Sequence, residues 1–236
     1  MPHFSSSPFI DRVPGPMTDP LPKFGDRRRI RIGLLGGSFN PAHAGHALIA
    51  RHFRQRLRLH QVWLMVSPGN PLKSGDDMAP LAARLASARA IADGRHIIAT
   101  TIESRLGTRY TADTLARLRT LFPCARFVWL MGADNLAGFP RWRNWRGIAA
   151  EWPFAVHPRP GYTARALSGQ AASVLRRYRR PEREAPLLAD LPPPAWMMLR
   201  LPESPLSATQ IRVAFAHNRT GMQSTEEAES GPAESR

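Results

Sequence analysis

The stretch Ile30-Arg31-Ile32-Gly33-Leu34-Leu35-Gly36-Gly37-Ser38-Phe39-Asn40-Pro41-Ala42-His43-Ala44-Gly45-His46 decides the fold. Its first part, Ile30–Leu35, is a short apolar run ending in glycine, the pattern of a strand buried on both faces. A helical pattern, Ala44–Leu57, follows, so the order is strand, glycine turn, helix. The adjacent glycines Gly36 and Gly37 let the backbone turn tightly and offer N–H groups to phosphate oxygens, and the following helix start adds its positive dipole end. His43 and His46 stand three apart, so on a first helical turn both imidazoles point the same way. Other readings fail on specifics. No Gly-Lys-Ser/Thr follows at P-loop spacing, and the glycines do not form GxGxxG. No Cys, Asp or Glu lies nearby to complete a zinc shell around the two histidines, so no metal site is expected.

Working outward, the same alternation repeats. Candidate strands are Ile30–Leu35, Val62–Val66, Ile97–Ile102, Phe127–Met131, Phe154–Val156 and Trp196–Leu201. Candidate helices are Ala44–Leu57, Ala79–Ala92, Thr111–Phe122, Ala171–Tyr178 and one from Ser207 to about His217. Strands alternating with amphipathic helices predict an α/β fold, a Rossmann-like doubly wound parallel sheet flanked by helices. Ligands bind such sheets outside the strand carboxyl ends, where strand order reverses, which directs attention to the loops after Leu35, Val66, Met131 and Val156. Residues 1–29 carry six prolines and no periodicity, the pattern of a flexible leader. Residues 30–219 form the working domain, and the acidic, polar stretch 220–236 is expected to be disordered.

Composition bounds the remaining choices. The 236 residues hold 33 Lys+Arg against 18 Asp+Glu, a net charge of +15, and 43% are apolar. That apolar share excludes a wholly disordered chain. The basic surplus favours anionic partners, or equally reflects solvated arginine-rich helix faces. The single cysteine, Cys124, excludes an internal disulfide and agrees with a reducing, cytoplasmic setting. No apolar run approaches the ~20 residues needed to span a bilayer, and the leader has no secretory core.

A second segment, Leu206-Ser207-Ala208-Thr209-Gln210-Ile211-Arg212, begins the last helix. Ser207 suits an N-cap, and Thr209 and Arg212 share a face on which hydroxyl and guanidinium can grip phosphate together. At this point the chain resembles a family. Gly36 to His46 is similar to the GGSFxPxHxGH signature of nucleotidyltransferases, and Ser207–Arg212 to their SxTxIR signature. Between them stand Asn70-Pro71-Leu72-Lys73, Arg109-Tyr110-Thr111-Ala112-Asp113-Thr114-Leu115, Gly132-Ala133-Asp134-Asn135-Leu136, Phe139-Pro140-Arg141-Trp142-Arg143-Asn144-Trp145 and Arg159-Pro160-Gly161-Tyr162. In that order they resemble bacterial nicotinate-nucleotide adenylyltransferases across nearly all of residues 30–215.

The resemblance implies transfer of the adenylyl group of ATP to nicotinate mononucleotide, giving nicotinate adenine dinucleotide and pyrophosphate in NAD biosynthesis. It implies catalysis by His43, His46 and Arg212, and an ATP site of Gly36, Gly37, Ser38, Phe39, His43, His46, Lys73, Gly132, Asp134, Ser207, Thr209 and Arg212. The mononucleotide would meet Asn40, Thr111, Asp134, Trp142 and Arg159, with Trp142 stacked on the pyridine ring and Arg159 on the phosphate. Many members carry Asp where this chain has Asn40, so any role needing a charge there is in doubt. Mg²⁺ would ride on the ATP phosphates. Partners are then ATP and nicotinate mononucleotide, with no nucleic acid and no membrane, and the protein is a monomer or homodimer. Another acceptor, nicotinamide mononucleotide or phosphopantetheine, is the alternative. A nucleic-acid-binding role for the +15 charge finds no aromatic-basic motif to support it.

Overall fold

Ile32–Leu35 is apolar at every position but Gly33 because it becomes the innermost strand, covered on both faces. The computed structural model describes residues 27–69 and 78–200. The strands are β1 (Arg31–Gly37), β2 (Gln61–Val66), β3 (Ile97–Thr100), β4 (Arg126–Gly132), β5 (Phe154–His157) and β6 (Trp196–Met198). They form one sheet in the order β3-β2-β1-β4-β5-β6, and every neighbouring pair is parallel. Strand order reverses between β1 and β4, so the expected ligand crevice opens there.

Parallel strands require crossovers, and the helices that provide them cover both faces. On one face α1 (Ala44–Arg56) and α2 (Leu81–Ile91) bury Ala50, Phe53, Leu57 and Ala88 against Val62, Leu64, Val128 and Leu130. A 3₁₀ segment, Glu182–Asp190, adds Leu188 to that layer. On the other face a short α3 (Ile102–Leu106) precedes α4 (Thr111–Leu121), α5 (Ala133–Gly138) and α6 (Trp145–Glu151). Two single-turn helices, α7 (Thr163–Leu167) and α8 (Gln170–Val174), complete it. Leu115, Leu118, Leu136 and Ile148 pack there against Leu34, Trp63, Trp129 and Phe154. Burial of side chains this size contributes about 1.5–3 kcal/mol each before entropy is charged against it.

The differences from the sequence expectations have local causes. The third strand, expected through Ile102, stops at Thr100, because Ile102 opens α3, which Gly107 ends in the left-handed region at φ 62°. The helix expected over Ala171–Tyr178 is α8 followed by a 3₁₀ turn at Arg176–Tyr178. α5, α6, α7 and the Glu182–Asp190 segment were not anticipated; each is too short to announce itself by periodicity and is held by packing. The expected helix from Ser207, the tail 220–236 and most of the leader lie outside the described residues.

Several arginines serve this scaffold through ion pairs. Asp190 receives Arg31 through Nε (3.2 Å) and Nη2 (2.6 Å), and also Arg126, which fastens the amino ends of β1 and β4. Arg56 pairs with Glu182 (2.6 Å) and Arg119 with Glu151 (3.0 Å). Arg119 also lies over the Trp152 ring at 4.7 Å.

Candidate active site

The carboxyl ends of β1, β4 and β5 meet beside the start of α1, and the sequence there is small for a steric reason. A Cβ on Gly36 would come within 2.8 Å of the Trp129 ring on one face of the sheet. One residue later, Gly37 faces Phe39 on the other side. Phe39 takes φ 46°, a left-handed conformation unusual for an aromatic residue. Its ring is buried, with its centroid 5.0 Å from that of His46.

His43 is the N-cap of α1, in extended conformation (φ −148°, ψ 170°). Its Nδ1 accepts the Gly45 N–H at 3.2 Å, and His46 Nδ1 accepts the His43 N–H at 3.2 Å. The pair forms a capping box in which imidazoles replace the usual hydroxyl and carboxylate. The chemical consequence is specific. A nitrogen that accepts an N–H carries no proton, so both neutral rings hold their hydrogen on Nε2. Burial, then the neighbouring His43, Arg159 and His157, pull the His46 pKa down to about 3. Burial and Arg159 also lower that of His43. Two neutral imidazoles 3.9 Å apart, centroid to centroid, therefore carry Nε2–H donors at the capped start of α1.

Arg159, after β5, bonds Asp134 Oδ2 through Nη1 at 2.6 Å. Asp134 lies in the first turn of α5, whose N-cap is Gly132, and its Oδ1 is buried with no hydrogen-bond partner among the described residues. Because Arg159 acts electrostatically on both His43 and His46, one cluster gathers the glycine turn, the histidine pair, Gly132, Asp134 and Arg159. Its hydrogen-bond donors are the Arg159 guanidinium, part of whose charge the Asp134 carboxylate offsets, and the N–H groups of the glycine turn and helix start.

Thr111 and Trp142 lie on the opposite sheet face. Trp142 is half-buried, edge-on to Trp129 (6.0 Å) and Phe139 (5.3 Å). Arg143 ties its loop to the start of α4, lying over the Tyr110 ring at 4.8 Å and pairing with Asp113 at 3.4 Å. Trp145 instead belongs to the core. Asn40 does not simply face outward: its Oδ1 accepts the Ala79 N–H at 3.2 Å, which fastens the segment before α2 to the glycine turn. Lys73, Ser207, Thr209 and Arg212 lie outside the described residues.

Sequence reasoning missed two residues. Arg84 is 2% exposed. Its guanidinium donates to Ser38 O (2.9 Å), Ser67 O (2.7 Å), Pro68 O (3.3 Å) and Ala79 O (2.8 Å). It thus clamps the loops after β1 and β2 to α2. The available signal was an arginine at a core position of the stripe Leu81, Arg84, Leu85, Ala88. The second is His157, the last residue of β5, whose electrostatic effect reaches His46. It directly follows Val156, after which a ligand loop was expected.

The chain matches the Cytidylyltransferase-like family over residues 34–214. A Gluconacetobacter diazotrophicus protein named "Probable nicotinate-nucleotide adenylyltransferase" is 57% identical over 197 residues, covering 84% of this chain and 92% of that one. A Gluconobacter oxydans protein of the same name is 60% identical over 183 residues, 78% of this chain and 94% of that one. Among solved structures, the Plasmodium falciparum nicotinic acid mononucleotide adenylyltransferase complexed with NaAD superposes with a TM-score of 0.59 at 18% identity, covering 78% of this chain and 82% of that one, a likeness of fold. With a doubly wound sheet, paired imidazoles at its switch point and relatives this similar over most of their length, the chain belongs to the nicotinate-nucleotide adenylyltransferase family.

Proposed function

We propose that this chain transfers the adenylyl group of ATP to the 5′-phosphate of nicotinate mononucleotide, forming nicotinate adenine dinucleotide and pyrophosphate, a step of NAD biosynthesis. The observation that carries the site reading is the capping pair: His43 and His46, neutral, each accepting a backbone N–H at Nδ1 and so carrying its hydrogen on Nε2. A phosphate oxygen of the mononucleotide attacks the α-phosphorus, and the bond from that phosphorus to the bridging oxygen breaks as pyrophosphate leaves. The nucleophile is already an anion near neutral pH, so no general base is required. What the protein supplies is alignment and charge stabilisation.

In this reading the Gly36–Phe39 backbone and the two imidazoles hold the triphosphate, and the Nε2–H donors strengthen as charge builds on the leaving oxygens. Neutral imidazoles at the start of α1 need not be desolvated as cations, so substrate binding is not opposed by proton uptake. Arg159 neutralises the mononucleotide phosphate with donors not used on Asp134. The first-turn N–H groups of α4 at Thr111 meet the nicotinate carboxylate, and the exposed part of Trp142 stacks on the pyridine. Lys73, Ser207, Thr209 and Arg212 complete the triphosphate site as the family resemblance implies. Among the described residues no three His, Cys, Asp or Glu side chains group to hold a metal. Mg²⁺ would be carried by the phosphate oxygens and water, where it would withdraw charge from the leaving group.

The test is pyrophosphate release and dinucleotide formation from ATP, Mg²⁺ and one acceptor at a time. Nicotinate mononucleotide is expected to be the preferred acceptor over nicotinamide mononucleotide and phosphopantetheine. A clear preference for phosphopantetheine, or no turnover with any of the three, would overturn the proposal.

A further inference from the structure

Glu103 has no part in the mechanism above, yet it is a carboxyl group buried against the first turn of α4. It is 8% exposed, Thr108 is 8% and Thr114 is 0%. The Thr114 hydroxyl lies 3.4 Å from Glu103 Oε1, 2.8 Å from the Thr108 hydroxyl and 3.2 Å from the carbonyl of Tyr110, the N-cap of α4. Thr108 Oγ1 also lies 3.3 Å from the Glu103 carbonyl. Thr111 and Thr114 stand three apart and share a helix face, and the Thr114 side chain leans back over the first turn. Glu103 therefore sits about one helical turn from the N–H groups at Thr111.

Counting hydrogens separates two states of this cluster. A carboxylate only accepts, and Thr114 has one hydrogen, so serving Oε1 takes it from Tyr110 O. The carboxylate would then rest on a single 3.4 Å bond, the one side-chain donor it has among the described residues. As an acid, Glu103 donates to Thr114 Oγ1, which also accepts from Thr108 and gives its own hydrogen to Tyr110 O. Every contact is then served. Burial pushes the Glu103 pKa up to about 7, against the lowering effect of Thr114. No charged neighbour compensates. β2 and β3 carry no charged side chain, Arg105, Arg109, Arg117 and Arg119 are exposed, and Asp113 pairs with Arg143.

We infer that Glu103 is a specificity-determining residue: as an acid donating to Thr114 it leaves the start of α4 fit for the carboxylate of nicotinate mononucleotide, and as a carboxylate it weakens the preference over the carboxamide. This role rests on the proposed seat of the nicotinate carboxylate at Thr111. A negative charge one turn behind that seat opposes a second one, whereas the neutral carboxamide is indifferent to it. Binding of the acid substrate in turn favours protonated Glu103, so it draws a proton into the protein.

The experiment measures calorimetric Kd values for nicotinate and nicotinamide mononucleotide at pH 6 and pH 8.5, in the wild type and in Glu103→Gln, which is neutral at both. The ratio of the two Kd values cancels the phosphate, which both ligands carry. In the wild type the preference for the acid is expected to fall roughly 3- to 10-fold between pH 6 and pH 8.5. Glu103→Gln keeps its pH 6 preference at both. Titrations near pH 7 in buffers of different ionisation enthalpy should show more proton uptake with the acid than with the amide, and no difference in Glu103→Gln. A structural role alone would move neither readout. If Glu103→Gln fails to fold, the wild-type ratio and proton uptake decide. A wild-type ratio indifferent to pH, or the same fall in folded Glu103→Gln, would overturn the inference while leaving the proposed function standing. Failure of both mononucleotides to bind would overturn the proposed function, and this role with it.

Discussion

Arg84→Met is the most informative single substitution, because methionine keeps most of the stem volume while removing four hydrogen bonds at once. The guanidinium holds Ser38 O, Ser67 O, Pro68 O and Ala79 O at 2.7–3.3 Å and is almost wholly enclosed. A hydrogen bond to a charged donor contributes about 1.5–3 kcal/mol. Against that stands the cost of burying a guanidinium, which also holds its pKa below the usual arginine value. Pro68 is exposed and its carbonyl can turn to water, but Ser38 and Ser67 are only partly accessible. The net loss is about 3–4 kcal/mol, or a fall in Tm of roughly 6–15 °C for a domain this size. The glycine turn loses its fastening to α2 as well, so kcat/KM should fall more than about tenfold. Arg84→Lys keeps charge but not the planar fork, and should recover less than half of the loss. The assays are urea unfolding with steady-state turnover on the same preparations, plus added guanidinium, which should partly rescue Arg84→Met. A variant with unchanged Tm and kcat/KM within twofold of wild type would refute the clamp.

Three further outcomes are expected. Unfolded His46 takes up a proton below its ordinary 6.5, whereas the folded residue resists until about 3, so its contribution is complete above pH 6.5 and shrinks as pH falls. At pH 5 the wild type should therefore lose about 2 kcal/mol more, relative to pH 7.5, than His46→Gln, read by urea midpoints. Glu103 has the opposite sign: burial raises its pKa from 4.5 to about 7, against the lowering hydrogen bond of Thr114, so its stability is complete below 4.5 and lost as pH rises through 7. Glu103→Gln should exceed the wild type by about 2–3 kcal/mol at pH 8, with the gap closing near pH 4.5. Trp142→Ala should raise the KM for nicotinate mononucleotide roughly five- to tenfold and leave that for ATP within twofold; equal effects on both substrates would reject the stacking role.

The parts legible in the sequence are those written in local patterns. Runs such as Val62–Val66 and Phe127–Met131 are apolar throughout because both sheet faces are covered, and their spacing already fixed the parallel architecture. The Gly36–His46 turn was equally readable, since small residues, a helix start and two histidines at one spacing leave few alternatives. What escaped depends on partners distant in sequence. Arg84 is indistinguishable from a surface arginine until the loops after β1 and β2 fold around it. His157 looks like a strand-end residue until Gly132 and Asp134 arrive beside it. The tautomers of the paired imidazoles come from backbone contacts at Gly45 and His43, which no periodicity encodes. α5 and α6 are stabilised mainly by Leu136 and Ile148 entering the common core, so their own sequences carry little signal.

The central claim is that two neutral imidazoles, tied through Nδ1 to the backbone, offer Nε2–H to a nucleotide triphosphate. Long-range ¹H–¹⁵N spectra of the histidine side chains, recorded at pH 7.5 with and without ATP and Mg²⁺, measure it directly. The account predicts Nε2–H tautomers for His43 and His46, with both Nε2 resonances displaced by ATP and lost from the spectra of the corresponding Gln variants. Nδ1–H tautomers at these positions, or Nε2 signals that ignore saturating ATP, would contradict it.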